Sequence, residues 1–159
     1  MNAPTHIVGG VAAAALTVYL DPIQVYEPLY LYSAAIVGSL LPDICHPRSM
    51  VGRKIPVVSK GVNKFFGHRT ITHSLLFILF IYWGMGHLDF RGAYDLQMGL
   101  VAGVISHIVL DMITPQGVQF LYPIKSKIKT PLHVKTGSII GETCVIFVLL
   151  VIVAYFNMA

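Results

Sequence analysis

Apolar residues run in five blocks along the chain, and between them charge, proline and histidine collect. The blocks cover about residues 5–20, 29–41, 71–86, 94–113 and 136–157. Each is read as a helix, with Thr5 a candidate N-cap for the first and Thr70 or Thr72 for the third. A full membrane crossing takes about 20 apolar residues, so the third and fifth blocks are the convincing spans. The first and second are short and rich in small residues, and are expected packed inside the bundle or only part way across. Gly9, Gly10, Gly38, Gly99 and Gly103 allow helices to approach closely. In segment 47–67, Pro47, Pro56 and Gly61 argue against one long helix, and Ile55 to Phe66 is expected along the membrane surface.

Composition supports a membrane protein: 55% of the 159 residues are apolar and 11% charged, where a soluble domain carries about a quarter charged. The expectation is an all-α, polytopic membrane bundle of about five helices in a single domain, residues 1–159. No Lys or Arg precedes the first apolar run, so that helix is read as retained rather than as a signal peptide. Of the eleven Lys and Arg, ten lie in loops 42–70 and 114–135, and the other is Arg91. By the positive-inside rule the ten-charge side is cytoplasmic, with the N-terminus inside and the C-terminus outside. The net charge of +4 is then a topology signal, and no aromatic-interleaved basic run suggests a nucleic-acid partner. Lys125, Lys127 and Lys129 are placed to meet anionic headgroups. Neither cysteine, Cys45 nor Cys144, belongs to a paired motif.

Placed on this topology, the ionisable residues gather at the cytoplasmic helix ends. His6 starts the first helix, Asp43 and His46 follow the second, and His68 and His73 bracket the start of the third. His107 and Asp111, four apart on one face, end the fourth. Glu142 lies two turns into the fifth, four residues after Ser138. Five histidines and three carboxylates form a ligand set suited to zinc, manganese or iron, in numbers that permit one or two ions. Single residues have plainer readings: His6 as a hydrogen-bonded interface residue, Asp43 as a turn cap, Arg69 as a topology charge. His87 lies on the opposite side, and His133 sits in a lysine-rich loop. His107, Asp111 and Glu142 resist such readings, because ionisable groups inside a span are costly.

The ordered series Thr5-His6 with Gly9 or Gly10, Leu41-Pro42-Asp43 with His46, His68-Arg69 with Thr72-His73-Ser74, His107-x-x-x-Asp111, Thr114-Pro115-x-Gly117 and Thr136-Gly137-Ser138 with Glu142 resembles the YdjM-like family. These are bacterial and archaeal inner-membrane proteins described as LexA-regulated, metal-dependent hydrolases. That family is in turn similar to zinc-dependent phospholipases C and P1-type nucleases, whose His-x-x-x-Asp helix motif His107 and Asp111 match. The family commonly has a second aspartate where this chain has Cys45, so a thiolate is either a softer ligand or one metal position is lost.

The resemblance and the residues together imply a membrane-embedded, metal-dependent hydrolase of the inner membrane. The expected metal ligands are His6, Asp43, His46, His68, His73, His107 and Asp111, holding zinc or else manganese or iron. Glu142 is a ligand or general base, Arg69 the grip on a substrate phosphate, and the substrate an amphiphilic phosphoester such as a membrane phospholipid. Two rival classes share the ligands: a metal-ion transporter or sensor, and a non-catalytic membrane protein with a structural metal.

Overall fold

Proline opens the first turn of three helices, where its missing N–H costs nothing. A computed structural model describes residues 1–20, 25–67, 69–131 and 133–158. It contains α1 (Ala3–Tyr19), α2 (Pro28–Gly38), α3 (Pro56–Phe66), α4 (Leu75–Met85), α5 (Ala93–Met112) and α6 (Ile139–Met158), with 3-10 turns at Leu41–Cys45 and Ile71–His73. Pro4, Pro28 and Pro56 stand in the first turns of α1, α2 and α3. The all-helical expectation holds, with six α-helices among the described residues rather than five; the additional one is α3, at the segment expected to lie along the membrane surface. The only pairing of strand type among the described residues is the isolated bridge Val118–Ile128.

Small residues set the helix packing. A Cβ on Gly103 would press into the Ala35 carbonyl and the Ser39 amide. One on Gly99 would meet the Leu31 carbonyl, one on Gly38 the Leu100 main chain, and one on Gly10 the Ala35 carbonyl. So α1, α2 and α5 touch backbone to backbone, the mode by which membrane helices gain packing without a hydrophobic driving force. Ala14, Leu31 and Ala35 fill the space between them. At the end away from His107, the buried Asp95 carboxylate accepts hydrogen bonds from the Tyr26 and Glu27 amides at 3.3 and 2.8 Å. This ties the start of α2 to the start of α5.

Among the described residues, three segments are long and apolar enough to cross a membrane: Pro28–Cys45, Ala93–Met112 and Ile139–Met158. On α6 only Glu142 is buried, and α4 buries no residue at all. Their outward apolar faces suit lipid. The reading of 71–86 as a full span needs correction. α4 has 11 residues, about 16 Å at 1.5 Å per residue, roughly half the hydrocarbon core. It is short because residues 71–74 leave the helix to form the turn that carries His73. The N-caps move accordingly, to Ser74 for α4 and Asn2 for α1. Thr5 lies inside α1 and bonds Glu142 instead.

The close contacts predict a contrast between two glycines. Gly103→Val should force α2 and α5 apart at a cost of about 1–3 kcal/mol, read as a drop of several degrees in the thermal midpoint in detergent. Gly84→Ala, with no atom within 4 Å of its added Cβ, should stay within about 1 kcal/mol of wild type. Equal effects at both positions would contradict the packing described.

Candidate metal centre

On α5 the residues Gly99, Gly103, His107 and Asp111 follow at steps of four and so share a drifting face; all four are buried. The glycines bring α2 close enough for His107 Nδ1 to sit 2.6 Å from the Ser39 carbonyl oxygen. A carbonyl only accepts, so Nδ1 carries the proton and, in the neutral ring, Nε2 presents a lone pair. This is the arrangement by which metal-binding histidines are oriented, one nitrogen tethered and the other free to ligate.

That Nε2 lies 3.2 Å from His73 Nε2. It lies 3.7 Å from Asp111 Oδ2, and His73 Nε2 is 3.4 Å from the same oxygen. A tetrahedron of zinc bonds of about 2.0–2.1 Å has edges of roughly 3.3 Å, so this triangle has the dimensions of a metal face. Around it, His6, His107 and Asp111 form one group, and Asp43, His73 and His107 another, with the ligand atoms of each group within 4.8 Å of one another. His6 stacks on His107 with ring centroids 3.7 Å apart. His107 belongs to both groups, yet its single free nitrogen serves one ion. Asp111 is different: Oδ1 faces His6 at 3.5 Å while Oδ2 faces His73, so its two oxygens look to both sides of the cluster.

The electrostatics centre on that carboxylate, which is buried. The Met1 amino group lies 2.6 Å from Oδ1 and Arg69 Nε 2.9 Å from Oδ2. The Arg69 Nε–H is not aligned for a hydrogen bond despite that distance; its Nη1 instead donates to Thr114 Oγ1 at 2.7 Å, and Thr114 Oγ1 donates to the Asp111 carbonyl at 2.8 Å. Arg69 takes the left-handed conformation, φ 59°, at a cost of order 1–2 kcal/mol for a side chain of this size. Burial disfavours the charged form of His73, but its hydrogen bonds to Asp111 and Cys45 outweigh burial and hold its pKa above the ordinary histidine value. Both nitrogens of His6 are buried with no hydrogen-bond partner. A buried ring with neither nitrogen satisfied costs about 1–3 kcal/mol per group, and a divalent ion on the cluster would relieve it. The donor set therefore fits a metal.

The structure brings together five of the expected ligands: His6, Asp43, His73, His107 and Asp111. His46 is outside both groups; its Nδ1 accepts the Arg48 amide at 3.2 Å, and its side chain lines a cavity of about 600 Å³ together with Asp43, Arg48, Arg53 and Arg69. His68 lies outside the described residues. Glu142 is also outside both groups. Its Oε2 accepts the Asn2 amide at 2.9 Å and the Thr5 hydroxyl at 2.5 Å, and Oε1 accepts the Gly137 amide at 2.7 Å. It pins α6 to the start of α1. Arg69 is buried against Asp111 and Thr114 rather than extended into the headgroups. Cys45 is buried and hydrogen-bonded to His73, at the rim of the cluster. His87, in the turn after α4 at the other end, bonds the Trp83 carbonyl of that helix.

Two contributors escape a reading of the sequence. The Ser39 carbonyl is a main-chain atom and leaves no side-chain signal. Thr114 stands in the Thr114-Pro115-x-Gly117 part of the ordered series, but nothing local announces that it receives Arg69.

The family model described as "YdjM inner membrane protein" matches residues 1–159. The uncharacterized protein YvsG of Bacillus subtilis (strain 168) is 39% identical over 138 residues, 87% of this chain and 83% of that protein. The inner membrane protein YdjM of Escherichia coli (strain K12) is 36% identical over 141 residues, 84% of this chain and 71% of that protein. No solved structure matches. With a match along its whole length, helices able to span a bilayer and a relative in the inner membrane, the chain belongs to the YdjM family of inner membrane proteins.

Proposed function

We propose that this protein is a metal-dependent hydrolase acting on a phosphoester, such as a phospholipid or another amphiphilic phosphate, at the cytoplasmic face of the membrane. The observation that carries the reading is the buried His/Asp cluster, with His6 unsatisfied at both nitrogens, beside an open cavity that Asp43 lines. His73, His107 and Asp111 would hold the metal, with His6 and Asp43 completing the set, and zinc suits these nitrogen and oxygen donors. Such an ion supplies Lewis-acid polarisation of a phosphoryl oxygen and acidification of water. The residues do the rest. The Ser39 carbonyl keeps His107 in one tautomer, Arg69 and Thr114 hold the Asp111 carboxylate in place, and close helix packing keeps bulk water from the buried side. Glu142 in this reading is a structural anchor, its oxygens already engaged.

The location argues against a transporter, whose ion sites sit near the bilayer midplane between repeated halves. Here the ligands come from one end of every contributing helix: the starts of α1 and α4, the ends of α2 and α5.

Elemental analysis of protein purified with zinc should give at least one ion per chain, and Asp111→Asn or His107→Ala should lose it. The loss should exceed the ~10–100-fold typical of removing an outer partner. Zinc content equal in wild type and both variants would remove the basis of the proposal.

Zinc retention should also depend on pH. A protonated His73 cannot ligate, and its raised pKa means that protonation begins above the usual histidine value of about 6.5. The affinity for zinc should therefore fall as the pH is lowered, and fall less steeply in His73→Ala. The same pH dependence of zinc affinity in wild type and His73→Ala would exclude His73 as a ligand.

Against a panel of lipid phosphoesters, wild type should release product at rates that His107→Ala reduces to background. Glu142→Gln should lower the thermal midpoint while retaining zinc and most of the rate. A Glu142→Gln enzyme that is folded, zinc-loaded and inactive would return the general base to Glu142.

A further inference from the structure

The charged face carries three arginines, Arg48, Arg53 and Arg69, and all seven lysines of the chain. All three arginines line the cavity of about 600 Å³ beside the cluster, and no lysine does. Charges that set topology need only be positive, so lysine would serve there equally well. The guanidinium differs in being a planar fork that grips two oxygens of one anion. The segregation of arginine from lysine thus points to a ligand with paired oxygens.

Arg69 is not the free member of the set, since Thr114 and Asp111 hold it. Arg48 and Arg53 are exposed, and neither side chain has a carboxylate partner among the described residues. Their loop is nonetheless built. Ser49 Oγ donates to the Asp43 carbonyl at 2.8 Å and accepts the Gly52 amide at 2.9 Å. The Arg53 amide reaches the Ser49 carbonyl at 3.2 Å. Gly52 packs against the His46 carbonyl so closely that no Cβ would fit. The segment bearing both arginines is thereby fastened to the turn that bears Asp43, a member of the metal-capable set.

We propose that Arg48 and Arg53 form the anion-binding site for a phosphoryl group, in the cavity that Asp43 also lines, and that Arg69 is a positioning residue for Asp111 rather than the phosphate grip. This rests on the hydrolase reading for its meaning, but the binding site stands on its own observations.

The test uses the full chain in zwitterionic phosphatidylcholine nanodiscs, free of metal and at fixed ionic strength. Isothermal titration calorimetry is run with inorganic phosphate and with dihexanoyl phosphatidic acid. Arg48→Gln/Arg53→Gln should weaken phosphoryl binding at least tenfold with an unchanged thermal midpoint. Arg48→Lys/Arg53→Lys, keeping charge but not the fork, should bind less tightly than wild type, and Lys125→Gln/Lys129→Gln should stay within twofold. Tighter binding of phosphatidic acid than of phosphate would support the site and assign it to a lipid headgroup; equal binding would support it and assign it to free phosphate. No binding by wild type, unchanged affinity in the double glutamine variant, or an equal loss in the lysine pair would overturn the proposal. Zinc content and hydrolysis in the same variants separate the two ideas. Zinc-dependent hydrolysis with arginine-independent binding sinks only the arginine site. Arginine-dependent binding without hydrolysis by wild type sinks only the enzyme.

Discussion

The structure turns on one buried carboxylate. Asp111 lies near the end of a membrane-competent helix, where an uncompensated charge would cost several kcal/mol. It is tolerated because several segments of chain meet it: the Met1 amino group, His73 from the turn before α4 and Arg69 from the segment after α3, with His6 from α1 and His107 from its own helix packed beside it. Each partner fixes the end of the element that bears it. The convergence of α1, α4 and α5 at one end of the bundle is thus an electrostatic requirement as much as a packing result.

Packing meets that requirement from the other direction. The α5 stripe that begins with Gly99 and Gly103 continues into His107 and Asp111. The same face that lets α2 approach at its middle delivers the ligands at its end. The short α4 fits the pattern, because starting the helix only at Leu75 leaves His73 in a turn where its ring is buried. Length that would have been spent on crossing the bilayer is given to the site.

Much of this was legible in the residues themselves. His107 and Asp111 declare themselves by their spacing and by their presence in an apolar run, and the clustering of His6, Asp43 and His73 follows once the helix ends are placed on one side. The all-helical architecture follows from the apolar blocks. What was not legible depends on exact helix ends and on main-chain atoms. Thr72 and Ser74 look alike as caps, and only the three-dimensional path shows that the helix waits for Ser74. Glu142 inside a span reads as catalytic by cost alone, whereas the amides of Asn2 and Gly137 offer it a structural use. Arg69 next to His68 looks like a surface cation, and its burial beneath Thr114 depends on contacts 45 residues away.

The tether on His107 has an evolutionary consequence. The atom that sets its tautomer is a carbonyl, which every amino acid possesses, so selection on that hydrogen bond exerts no direct demand for a particular side-chain chemistry at position 39. The demand is displaced to Gly103, whose missing side chain sets the distance between the helices. A survey of natural variants that looked for the partner of this histidine would find its constraint recorded one helical turn away, in a residue that never touches the ring's proton.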